Sequence, residues 1–322
     1  MRKVILCAVA ASAALWLMTC DDEEGDADAD SDADGDGDGD TDADADGDGD
    51  GDGDGDSDAD ADEAGDADAD SDSGGEFPDE TTTGPPSGLS LTATGPITAD
   101  TAGEVIEAVD VDGDITVTAA DVTVRNCRIT VSDAYWGVII REEGSLTIED
   151  CEIVGSGSSG QGIFNPYTRP LVVRRVDISA FADGVMTDVG EIVDSYIHDL
   201  QGPPDSHHDG IQNGGGGPLT VRHNTILNPH DETSAIALFQ DFGVPHDVLV
   251  EDNLLAGGGY TVYGGAGSSG TPTNIQFIGN VFSRRIHDNG GFWGPVAYWD
   301  GSGEGNEWRD NVWEDTGDEV TP

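Results

Sequence analysis

The stretch Pro204-Asp205-Ser206-His207-His208-Asp209-Gly210-Ile211-Gln212-Asn213 sets two histidines between two aspartates. The chain has seven histidines, and five of them, His198, His207, His208, His223 and His230, fall between positions 198 and 230. Asp199, Asp205, Asp209 and Asp231 accompany them. An imidazole takes up or releases a proton near neutral pH, which suits it to general acid–base work. A histidine held between carboxylates is expected to titrate above its ordinary value. The same residues form a mixed nitrogen and oxygen set for a divalent metal, with Asp205, His207 and Asp209 as the central ligands and His230 and Asp231 beside them. An oxygen-only subset would suit Ca2+. No fixed-spacing signature such as HExxH supports a metal. The plainer alternative is a polar turn, because Asp-Gly commonly opens a strand.

Which of these can meet depends on the elements that carry them. The segments VTVRNCRI (122–129), LTIEDCEI (146–153), VVRRVDI (172–178), EIVDSYI (191–197), LTVRHNTI (219–226), VLVEDNLL (248–255), IQFIGNVF (275–282) and NEWRDNVW (306–313) repeat at about two dozen residues. Each alternates apolar and polar positions as a strand does. A small or amide residue stands before the last apolar one, giving the column Cys127, Cys151, Val176, Ser195, Asn224, Asn253, Asn280 and Asn311. A second strand follows in each unit, with an inward column Val138, Ile163, Val185, Ile211, Ile236, Val262 and Val296. Two registered columns resemble the right-handed parallel β-helix of the pectin-lyase-like superfamily over roughly residues 103–316. The expected fold is all-β: one solenoid domain of eight coils, on the order of 40 Å long, with a disordered acidic N-terminal tether.

In that register Asp183, Asp209 and Ser234 share one file, two residues before the inward Val or Ile. Asp183 and Asp209 then lie about one strand spacing apart, and one of them should hold its proton to unusually high pH. Gln212 and Tyr263 face outward beside them, so Asp183, Gln212, Asp231 and Tyr263 are candidate substrate contacts. His207, His208, Asp209, Arg222 and His230 are candidate catalytic residues. Arg222 is the nearest cation by sequence, although pairing with Glu251 on the next strand would occupy it equally well. Cys127 and Cys151 stack in adjacent coils within disulfide range, and two buried thiols would fill the column equally well.

Three enzyme groups on this fold offer comparisons. Pectate-lyase-like enzymes abstract the proton α to a uronate carboxylate with Arg or Lys. No lysine follows Lys3, so Arg222 or the pair Arg174 and Arg175 would have to serve. Polygalacturonase-like hydrolases carry an Asp in NTDG and an Asp pair one coil later. HHDGI supplies Asp209, but Thr233-Ser234 stands at the second place. Mannuronan C5-epimerases exchange protons between His and Tyr at a DPHD-like cluster, which DSHHD (205–209) and NPHD (228–231) resemble. The resemblance implies action on a polysaccharide or cell-surface glycan, with lyase or epimerase chemistry ahead of hydrolysis. The rival class is a noncatalytic glycan-binding or structural surface protein.

The chain ends frame this reading. A basic start and short apolar run, MRKVILCAVAASAALWLMTC (1–20), read as a secretory signal whose LMTC resembles a bacterial lipobox, with Cys20 the residue to be acylated. Residues 21–87 are rich in Asp, Gly and Ala, offer almost nothing to a core and read as a linker. The β-helix domain occupies 88–322. With 67 acidic against 12 basic residues and a formal net charge of −55, the chain is a poor partner for nucleic acid. Export, lipid anchoring to a membrane or cell surface, and membrane contact through that lipid alone are the expectations.

Overall fold

A computed structural model describes residues 76–322 except 159, 204 and 205. Among them there is no helix, and the strands form three parallel sheets of ten, nine and nine strands. The chain visits the first, second and third sheets in turn, through nine full coils that begin at Thr92–Thr94, and the last strand is Val312–Trp313. The solenoid is therefore one coil longer than expected and begins earlier.

Each repeat motif proves to be two strands of neighbouring sheets. In VTVRNCRI, Val122–Arg125 belongs to the third sheet and Arg128–Thr130 to the first. The corner between them is a residue of positive φ: Asn126 (56°), Asp150 (52°), Asp252 (53°) and Asp310 (58°), with Arg175 and His223 taking the same shape at 52°. Asn and Asp tolerate this left-handed conformation better than other side chains, which explains their recurrence there.

The residue after each corner turns inward. Asn224, Asn253, Asn280 and Asn311 are fully buried, and each Nδ2 donates to the Oδ1 of the next at 2.9 Å. The same oxygens accept backbone N–H groups, so the buried amides are satisfied. At the N-terminal end of this column the two cysteines are free thiols, not a disulfide. Both sulfurs point the same way along the stack. Cys127 Sγ donates to Arg125 O at 3.1 Å and Cys151 Sγ to Glu149 O at 3.2 Å, and Cys151 Sγ also accepts from Cys127 N–H at 3.4 Å, so the stacked thiols are satisfied by hydrogen bonds.

Val138, Ile163, Val185, Ile211, Ile236 and Val262 are fully buried and in register, with Val296 next to Val262 and partly buried. The residue before the first five of them is Gly or Ala: Gly137, Gly162, Gly184, Gly210 and Ala235. A Cβ on Gly210 would lie 2.2 Å from Ile226 Cγ2 and 2.5 Å from Ala235 O, so Gly210 and Ile211 both face the core. Asp209 and Gln212 are thereby both turned outward.

Residues 76–87, assigned to the linker by composition, are part of the described structure and pack on the solenoid. Gly84 N–H donates to Arg175 O at 3.0 Å, Phe77 stacks on His223 at 5.9 Å, and Pro78 is buried. This segment lies beside Tyr196, Leu227 and Leu254 of the first sheet. At the far end Val320 is buried, accepts from Trp308 Nε1 at 2.6 Å, and closes the core with the C-terminal segment. Cys20 lies outside the described residues.

Candidate functional site

The second sheet brings Trp136, Gln161, Asp183, Asp209, Ser234 and Tyr260 into one file across six coils. Asp183 opens the strand Asp183–Thr187 and Asp209 the strand Asp209–Asn213. Asp183 accepts from Gln161 Nε2 at 2.9 Å through Oδ2 and from Asp209 N–H at 3.0 Å through Oδ1. Asp209 Oδ1 accepts from Ser234 N–H at 3.1 Å and from Ser234 Oγ at 2.9 Å. Its Oδ2 is buried with no hydrogen-bond partner.

Burial pushes the Asp183 carboxyl up to about 6 against the opposing pull of its two hydrogen bonds. Burial also raises Asp209 well above the carboxylate range, the neighbouring Asp183 charge adds to this, and the Ser234 bonds oppose it. Both members of the pair thus hold protons longer than free carboxyls do, where only one was expected to.

The histidines divide. His207 is exposed, and its charge acts on Asp183. His208 is buried, its ring stacked on His230 with centroids 3.6 Å apart. Burial, then the His230 and His207 charges, hold His208 down at about 4. The expectation of a raised value fails here because its ring is buried against the His230 imidazole, with the Ser206 hydroxyl 3.4 Å from Nε2 and no carboxylate among the groups that shift it. His208 N–H donates to Thr233 Oγ1 at 2.9 Å, and Thr233 Oγ1 donates in return to His208 O. His230 Nε2 donates to Leu200 O at 2.7 Å, and His287 Nε2 donates to His230 O at 3.0 Å. His198 is the histidine held between carboxylates, Asp177 and Asp199, which overcome burial and raise it, but it stands on the first sheet.

Arg222 does not join the site. It ends the strand Leu219–Arg222 on the third sheet, in register with Glu251, with its guanidinium 3.9 Å from Glu191. The corner at His223 leads from it into Thr225–Asn228 of the first sheet, and the chain reaches the second sheet only at Ser234–Leu238. Among the described residues no three His, Cys, Asp or Glu side chains converge to hold a metal ion. His207 is exposed and Asp209 is buried, so the pair does not present a common shell, and Asp205 lies outside the described residues. Asp231 stands exposed on the loop after His230.

Gln212 is half-buried between Met186 and Ala237 in the outward row, which continues to Tyr263. Tyr263 stacks on Tyr298 at 5.4 Å and lies 5.8 Å from both Phe239 and Tyr260. Its hydroxyl is raised by partial burial and then by the Asp209 charge. Gln161, Thr233 and Tyr298 are members that sequence reasoning missed. Gln161 was legible, because it precedes Ile163 by the same two residues that separate Asp183 from Val185. Tyr298 carried no such signal.

Exposed aromatics border this sheet on both edges. Tyr135, Phe292 and Trp293 precede its strands, and Tyr167, Phe242 and Tyr298 follow them. They make up six of the eight large apolar side chains most exposed in the described structure, so exposed apolar surface concentrates around this sheet. A search among curated proteins found no match. Residues 108–293 match the family described as right handed beta helix region, which covers more than half of the chain. On that match, and on three parallel sheets wound coil upon coil, the chain belongs to the right-handed β-helix family.

Proposed function

We propose that the outer face of the second sheet binds a polysaccharide and converts it by proton transfer, in the manner of a uronate lyase or epimerase. The observation that carries the reading is the buried Asp183–Asp209 pair, both carboxyls raised above their ordinary value and Asp183 to about 6, on the sheet whose outward row carries Tyr263 and next to exposed His207. Below about pH 6 Asp183 holds a proton that it can donate to the uronate carboxylate, making the adjacent ring proton easier to remove. His207 accepts that proton. Tyr263, on the opposite flank, returns a proton to the ring or to the departing sugar oxygen. Ser234, bonded to Asp209, stands where the hydrolase pattern needs a carboxylate, so hydrolysis fits this face less well. In the same proposal, acylation at Cys20 anchors the domain and residues 21–75 tether it outside the cytoplasm.

A second reading, noncatalytic glycan binding, is favoured by the burial of Asp209 and His208, which keeps both from direct contact with a ligand. Incubation with uronate and neutral polysaccharides, followed by absorbance of the unsaturated product and by mass, separates the two. Under the catalytic reading His207→Ala loses on the order of 100- to 10,000-fold in turnover while binding persists. Binding by the wild-type protein without any turnover would leave the noncatalytic reading. Wild-type turnover in both His207→Ala and Asp183→Asn would move the site elsewhere.

A further inference from the structure

The strand that starts with Asp183 ends beside a second feature. Phe242 is 81% exposed, yet its backbone is held in place. Its N–H donates to Gly214 O at 2.9 Å, and the backbones of Gly215 and Gly243 touch so closely that a Cβ on Gly215 would lie 2.5 Å from Gly243 C. The Phe242 ring lies over Gly214, where a Cβ would come within 2.9 Å of Cδ2. Beneath and beside the ring is a slot of about 180 Å3, walled by Phe164, Pro166, Met186 and Asp188. It adjoins a wider hollow of about 580 Å3 that shares Pro166, Asp188 and Phe242. Asp188 is anchored through Oδ1, which accepts from Gly214 N–H at 2.7 Å.

An exposed aromatic ring fixed by its own backbone, facing apolar side chains across a narrow slot with a carboxylate at its edge, is suited to a pyranose ring. The ring's C–H face stacks on the aromatic side chain and its hydroxyls donate to the carboxylate. Asp188 lies five residues beyond Asp183, roughly 16 Å along the strand. Met186 belongs both to the slot and to the outward row beside Asp183, so the two places share one surface.

We propose that Phe242, Phe164, Met186 and Asp188 form a distal sugar subsite, and that the glycan lies along this strand from the slot to Asp183. The inference rests on the glycan reading of this face. It assigns the slot to a ring bearing free hydroxyls and no carboxylate at the Asp188 edge, since a uronate there would meet Asp188 charge to charge.

Calorimetric titration with uronate oligomers and neutral glucan oligomers of graded length tests it, on the whole secreted protein and on Phe242→Ala and Phe242→Trp. Phe242 is exposed, and unchanged melting of the variants verifies that the fold is intact. For the wild type, affinity for the neutral oligomers should rise with each added sugar until the slot is reached, while the uronate oligomers should gain nothing at the slot. Phe242→Ala should lose that last gain, on the order of threefold to tenfold for the longer oligomers, and Phe242→Trp should retain it. If Phe242→Ala binds every length as the wild type does, the subsite is refuted while glycan binding at the acid pair stands. If the wild type binds no oligomer of either series, the subsite and the glycan reading fall together.

Discussion

Replacing Asp183 by Asn should make the protein more stable at neutral pH and leave it little changed in acid. The Asp183 carboxyl is 7% exposed and holds its proton up to about 6, against an ordinary 3.8. Below 3.8 it is protonated both folded and unfolded, so the folded state suffers nothing from it. As pH rises from there, the unfolded chain releases the proton while the folded chain keeps it, and stability is lost until the folded group also ionises near 6. A shift of roughly two pH units corresponds to about 3 kcal/mol by neutral pH. Asp183→Asn removes the ionisation and retains an acceptor for Asp209 N–H, with the Gln161 amide free to turn its oxygen toward the new donor. Thermal melts followed by circular dichroism from pH 4 to pH 8 should show the two proteins close together at pH 4. At pH 7.5 the variant should melt on the order of 5 to 10 °C higher, at a few degrees per kcal/mol for a unit of this size. Parallel curves across the whole range would refute the burial of an ionising carboxyl at this position.

Two further expectations concern the imidazole stack and the amide ladder. Held near 4 by burial and by its imidazole neighbours, His208 should remain neutral at pH 5.5 in a heteronuclear NMR titration, and a ring that titrates at 6 or above would contradict the stacked, desolvated geometry. Asn253→Ala orphans the buried Asn224 N–H and removes acceptor and donor contacts to Asn224 and Asn280, so it should cost about 3 kcal/mol and lower the melting temperature by on the order of 10 °C; a loss of only one or two degrees would show that the ladder is dispensable.

The parts of the fold that were legible in the sequence are those set by side-chain columns. Burial and stacking dictate residue type at the same offset in every coil, so Val185, Ile211 and Ile236 and the Asn ladder stood out, and the file of Asp183, Asp209 and Ser234 followed from them. The corner inside each motif was hidden, because apolar alternation runs through a left-handed residue without interruption. Each motif therefore lies on the third and first sheets, and Arg222 stands on the third, away from the second sheet that carries Asp183 and Asp209. The stacking of His208 on His230 was equally hidden. Both rings come from enlarged loops whose course depends on contacts to Leu200 O and Thr233, and no periodic signal records those. The docking of residues 76–87 was missed for a related reason: Phe77 and Pro78 are a brief apolar island at the edge of an acidic run.

Why the candidate chemistry gathers on the second sheet can be argued from what closes the other two. The first sheet has strands of two to four residues and is partly covered by 76–87. The outer rows of the third sheet are neutralised by cross-coil ion pairs, such as Arg125 with Glu107 at 3.1 Å and Arg174 with Glu191 at 3.8 Å. Among the described residues no ion pair falls within the strands of the second sheet. Its carboxyls are left to hydrogen bonds from Gln161 and Ser234, which orient them without supplying a counter-charge. The inward placing of Gly210 then matters for geometry as well as for packing. Because Gly210 and Ile211 both point inward, the outward residues are three apart instead of two, and an acid file runs beside an apolar and amide row on the same face. A ligand lying on the row of Met186, Gln212 and Tyr263 therefore has the acid file alongside it. Neither of the other sheets pairs a desolvated acid row with an open apolar one in this way.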